Sequence, residues 1–148
     1  LDQIDRIELN KAVGLAAHDS AIGAFVYLRR VFERLIEKKH LEAVKLDDWD
    51  EDEYQKTPRM DDKVQLLRPF LPDLLVENRK IYSVLSVGIH SLTDELCAAV
   101  FERVLNGVRI MLEDEHAKRQ QNEVRKNLGS SLDTVQKMIE TALNKDDK

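Results

Sequence analysis

The stretch Glu77-Asn78-Arg79-Lys80-Ile81-Tyr82-Ser83-Val84-Leu85-Ser86-Val87-Gly88-Ile89-His90 sets polar side chains able to do chemistry into an otherwise apolar helical pattern. A histidine such as His90 suits a general acid or base; just after a helical glycine it equally suits a turn cap bonded to carbonyls. Arg29 and Glu33 stand four residues apart, as do Arg30 and Arg34, and the first pair reads as a helix-surface ion pair. Arg30 and Glu33 also border the apolar face set by Leu28 and Phe32. A buried charge network reaching Arg79 or His90 is therefore a second reading, since buried charges are retained only when paired. On that reading Arg30, Glu33, Asn78 and Tyr82 are the candidate binding residues.

Other constellations point to little chemistry. Six carboxylates crowd around Trp49 between Asp47 and Glu53. They lack the Asp-x-Asp-x-Asp-Gly spacing and terminal Glu of a calcium loop, so the segment reads as a solvated acidic loop anchored by the tryptophan. The histidines His18, His40, His90 and His116 are dispersed without a metal-pair spacing, and no metal site is expected. No Gly-rich phosphate cradle, nucleophile elbow or aromatic-basic RNA platform occurs, and no cofactor is expected. Lys118-Arg119 and Arg125-Lys126 are interleaved with Glu113, Asp114, Glu115 and Glu123 and read as a solvated face.

The elements that must position these groups are helices. Leu1, Ile4, Ile7, Val13, Leu15 and Ala16 mark a first helix, with His18-Asp19-Ser20 supplying capping side chains. Phe25, Leu28, Val31, Phe32, Leu35 and Ile36 mark a second, buried one. After the acidic loop, Met60-Asp61-Asp62 caps a short helix that Pro69 and Pro72 interrupt. Leu74 to Ile89 reads as one helix ended by Gly88, and Thr93 as the N-cap of the next. That helix runs toward Asn127 with its apolar stripe stopping at Glu113; Gly129-Ser130-Ser131 then breaks it. Leu132, Val135, Met138, Ile139 and Leu143 draw a last amphipathic helix, expected to fold back or to pair with the same helix of a second subunit.

Composition sets the frame. At 148 residues with 43% apolar and 34% charged side chains, the chain is long enough for one domain with a core and far from a disordered composition. A net charge of -5 argues against a generally basic nucleic-acid binder. No apolar run approaches the roughly 18 residues of a membrane span. A lone Cys97 fits a reducing compartment, hence a cytoplasmic protein, and a first residue of Leu1 rather than Met reads as a fragment whose missing N-terminal region holds another part.

Two segments, Arg29-Arg30-Val31-Phe32-Glu33-Arg34 and Tyr82 to Leu92 with its Tyr-x-x-Leu-Ser-x-Gly-Ile-His-x-Leu pattern, resemble the HEPN-like group of helical domains, in particular its uncharacterised bacterial relatives. The resemblance covers the chain from Ala21 to Leu112. It implies an all-α, HEPN-like four-helix bundle over residues 1–128, a C-terminal amphipathic helix over 129–148, a homodimer, and a setting in phage defence or toxin–antitoxin systems. Ribonuclease members of the family carry an Arg followed after four to six residues by His, meeting across a dimer. Here that window after Arg79 falls on Val84 to Ser86 and holds no histidine; His90 lies eleven residues on. The leading expectation is a non-catalytic interaction and dimerisation module, with a protein partner or the missing N-terminal domain as its counterpart. The rival is a metal-independent endoribonuclease with Arg79 and His90 as catalytic residues and RNA as partner, and a third reading is a small-ligand or nucleotide pocket between helices.

Overall fold

The computed structural model describes residues 2–146 and is all-helical, with seven α-helices and no strand among the described residues. They are α1 (Gln3–Ala17), α2 (Ala21–Ala43), α3 (Glu51–Lys56), α4 (Met60–Leu66), α5 (Asp73–Glu77), α6 (Ile81–His90) and α7 (Asp94–Asp146), with a single 3-10 turn at Arg68–Phe70. The chain forms two compact units, Leu1–Glu115 and His116–Lys148.

In the first unit α2 is the central element. Ala24, Phe25, Leu28, Val31, Phe32, Leu35 and Ile36 recur three or four apart and are buried, so one face of α2 packs along α1 and continues onto α6. α1 and α2 are separated by Asp19, whose φ of 61° places it in the left-handed region. An aspartate tolerates that region better than most side chains, and the reversal it makes lets the helices lie side by side. Ser20 occupies the N-cap position of α2 but makes no cap hydrogen bond. The cap comes instead from Asp94, 72 residues on, whose Oδ1 accepts from Ile22 N at 3.1 Å. A Cβ at Gly23 would lie 2.9 Å from Ser20 Oγ, so a larger residue there would turn the Ser20 hydroxyl aside.

The face of α1 differs from expectation. Ile4, Ile7 and Val13 are exposed, whereas Asp5, Leu9 and Ala12 are buried. The register follows Asp5: its Oδ1 accepts from Arg34 Nε and Nη2 at 2.8 and 2.7 Å, with Lys38 Nζ 3.9 Å from its other oxygen. Asp2 does double duty, capping Ile4 N at 3.1 Å and bonding Lys38 Nζ at 2.6 Å.

The segment expected as one helix from Leu74 to Ile89 is two. Asn78 ends α5 because its side-chain Nδ2 and its own backbone N–H both donate to the Leu74 carbonyl, at 2.8 and 3.1 Å. An asparagine that satisfies a helical carbonyl locally competes with the continuing helix. Gly88 does not end α6, which runs to His90 with Ser91 as its C-cap. Thr93 caps α7 as expected, its Oγ1 accepting from Leu96 N at 3.2 Å. The break expected at Gly129-Ser130-Ser131 is absent, and α7 passes through it. A helical glycine costs only about 1 kcal/mol against Ala, a cost that Leu128 and Leu132 on either side do not add to.

Candidate functional site

Glu33 and Tyr82, both candidate binding residues, meet: Tyr82 donates its hydroxyl proton to Glu33 Oε1 at 2.8 Å, and Arg29 Nε donates to the same oxygen at 2.8 Å. The Arg29 guanidinium stands 5.3 Å from the centre of the Tyr82 ring, which packs against Phe32 at 5.6 Å. Burial, then the neighbouring Glu33 carboxylate, pushes the Tyr82 hydroxyl above its ordinary 10.0, and the hydrogen bond to Glu33 raises Arg29 above the usual guanidinium range. Both shifts keep the phenol protonated and the guanidinium charged, the states in which each can donate to Glu33. Glu33 thus joins α2 to α6 through Tyr82, in a half-exposed cluster with Arg29 rather than in the buried network expected to reach Arg79 or His90. Arg30 lies outside it, exposed, with its guanidinium 5.4 Å from the centre of the Tyr27 ring.

His90 is the last residue of α6, a ten-residue helix, and Arg79 lies in the turn just before its N-cap Lys80. The axial rise of α6 is about 15 Å, so within one chain the two do not converge on a phosphate. Arg79 Nη1 donates to the Val76 carbonyl at 3.2 Å and, with the Gln65 amide turned oxygen-inward, to Gln65 at 2.9 Å. His90 is exposed. Asn78 and Arg79 border an open groove of about 610 Å³ whose floor is Leu74, Ile81, Val104 and Met111.

Two polar clusters escaped sequence reasoning. Lys39 Nζ lies 2.5 Å from Glu115 Oε1, with the two side chains only 7% and 4% exposed. His40 stacks on Tyr54 with ring centres 3.9 Å apart, and its Nε2 lies 2.8 Å from Glu51 Oε2, which also accepts from Trp49 Nε1 at 2.7 Å. Glu51 Oε1 accepts from Gln55 Nε2 at 2.7 Å. Three donors on one carboxylate, Gln55 first, then Trp49 and His40, lower its pKa from the ordinary 4.5 to about 2. Because the folded pKa is depressed, ionised Glu51 stabilises the fold above pH 4.5, and that contribution fades as pH falls toward 2. Glu51→Gln should therefore lower the melting temperature at pH 6 and flatten its fall between pH 4.5 and 2; an unchanged acid limb would contradict this assignment. Among the described residues no group of three His, Cys, Asp or Glu side chains is placed to hold a metal ion, and no helix is long and apolar enough to cross a membrane.

The second unit carries a row of exposed apolar side chains. Val124, Leu128, Leu132, Val135, Met138, Ile139 and Leu143 are all between 50% and 67% exposed along one continuous helix. At 100° per residue Val124, Leu128, Leu132, Val135 and Ile139 fall within about 40° of a common line, with Met138 and Leu143 at its borders. Glu123, Lys126, Asp133 and Lys137 fall on the opposite face by the same geometry. The sequence draws this stripe only from Leu132 to Leu143; because α7 does not break at Gly129, Val124 and Leu128 lie in line with it.

No protein-family model matches the chain, and comparison with curated proteins and with solved structures finds no match.

Proposed function

We propose that the chain is a non-catalytic helical interaction and dimerisation module, built as an HEPN-like bundle from α1, α2, α6 and the first part of α7, with the second unit as the dimerising element. The observation that carries this is the apolar stripe from Val124 to Leu143, at least half exposed at every one of its large residues. An isolated helix is marginal in water, and burying each Leu, Val or Ile is worth about 1.5 to 3 kcal/mol, so a stripe of this size on an otherwise charged helix calls for a partner. Scattered exposed apolar residues need no such explanation, but an aligned row of them does. The bacterial, cytoplasmic, phage-defence or toxin–antitoxin setting rests on the HEPN-like resemblance of the Arg29–Arg34 and Tyr82–Leu92 segments. The ribonuclease reading finds no support in the placement of Arg79 in the turn before α6 and His90 at its last residue.

Sedimentation equilibrium should give a concentration-dependent species of twice 17.1 kDa, and the same protein should leave a single-stranded RNA uncut. A monomer at every concentration would remove the dimerisation reading. RNA cleavage lost in both Arg79→Ala and His90→Ala at unchanged melting temperature would move the chain into the enzyme class.

A further inference from the structure

Resting on the dimerisation reading above, we infer that the His116–Asp146 helices of two copies pair antiparallel, about a two-fold axis at Ser131–Leu132. The first support is the spacing of the stripe, which reads the same in both directions about that point. Reversing the helix there carries Val124 onto Ile139 and Leu128 onto Val135, so these four meet apolar partners, and Leu132 lies next to its own symmetry mate, while the bordering Met138 and Leu143 fall opposite Arg125 and Gln120. The same reversal sets Gln121 against Ala142, where the small side chain leaves the amide room to reach water. A surface that complements itself under a two-fold rotation is what an isologous contact requires.

Charge is the second support. Arg125 and Glu140 both flank the stripe on one side, and reversal brings Arg125 of one copy beside Glu140 of the other, twice by symmetry. The other flank carries uncharged Gln120, Asn127 and Thr134, and reversal pairs Asn127 with Thr134. A parallel pairing has none of this: it stacks Gln121 on Gln121 within the apolar row and turns Arg125 toward Gln120. It also aligns the two helix dipoles, which the antiparallel arrangement opposes. The steps of three, four and four residues from Gln121 to Leu132 sum to an eleven-residue repeat rather than a strict heptad, which suits two nearly straight helices over a strongly supercoiled pair.

Cysteine cross-linking of the full chain separates the orientations, with native Cys97 buried and out of reach. Under mild oxidation a mixture of Val124→Cys and Ile139→Cys chains should form a disulfide-linked heterodimer, whereas Val124→Cys alone should not link. Leu132→Cys should link to itself and serves as the control that the interface is present. Self-linking of Val124→Cys would overturn the antiparallel arrangement while the dimer stands. Dimeric sedimentation with no link between Val124→Cys and Ile139→Cys would overturn the register alone. Monomeric sedimentation of the unmodified chain would overturn both the arrangement and the reading beneath it.

Discussion

Leu132→Glu should convert the dimer to a monomer in sedimentation equilibrium while leaving the melting temperature of the first unit unchanged. In the proposed pairing Leu132 of each copy lies at the two-fold axis, so the substitution removes two buried leucines and sets two carboxylates side by side. Losing about 2 kcal/mol of burial per leucine weakens association by at least about 10³-fold before repulsion is counted. The first unit is spared because Leu132 belongs to the other unit and is 59% exposed in the single chain. Met138→Glu combined with Ile139→Glu should act in the same direction, as both lie on or beside the same row. A Leu132→Glu chain that still sediments as a dimer would place the contact elsewhere and end the case for the stripe.

Lys39→Met should be the most damaging single substitution in the first unit. The ammonium of Lys39 lies against Glu115, with both side chains almost wholly removed from water, and also 3.3 Å from Glu42. Taking away one charge of a buried pair costs about 3 to 5 kcal/mol because the other charge keeps its desolvation penalty. For a unit of this size that is a fall in melting temperature of roughly 10 °C or more. The double variant Lys39→Met with Glu115→Leu should recover most of the loss, since an apolar pair of similar volume carries no such penalty. Equal melting of the single variant and the wild type, within about 1 kcal/mol, would show that the pair is not what holds the Glu115 end of α7 to α2.

How far the chain could be read in advance depended on whether apolar spacing alone set each face. For α2 it did, and Phe25, Leu28, Val31, Phe32, Leu35 and Ile36 are all buried as the spacing requires. For α1 it did not: Asp5 takes an inward position with Arg34, and that one ion pair rotates Ile4 and Ile7 outward. Lys39 and His40 were illegible for the same reason, since a buried polar residue reveals itself only through its partner, and Glu115 and Glu51 lie on other elements. Glu33 was legible as a polar residue beside an apolar face, but its partner Tyr82, forty-nine residues on, was not. Asn78 shows a local failure: its side chain takes over the Leu74 carbonyl and ends a helix that hydrophobic spacing alone would continue. In the C-terminal stretch Leu132, Val135, Ile139 and Leu143 do share a helical face as their spacing requires, but on the continuation of α7 rather than on a separate helix.

The cap that Asp94 places on Ile22 bears on how the chain acquires and keeps its structure. α1 and α2 are joined through a single reversal at Asp19, so their pairing closes a short loop and can form while later residues are still unstructured. The Asp94 contact spans 72 residues and forms only once α7 has begun to dock. Asp94→Ala should therefore speed unfolding more than it slows folding, as for a contact made outside the folding nucleus, and a slowed folding rate would place the contact inside it. The start of α7 thus fastens the N-terminus of α2 from 72 residues away.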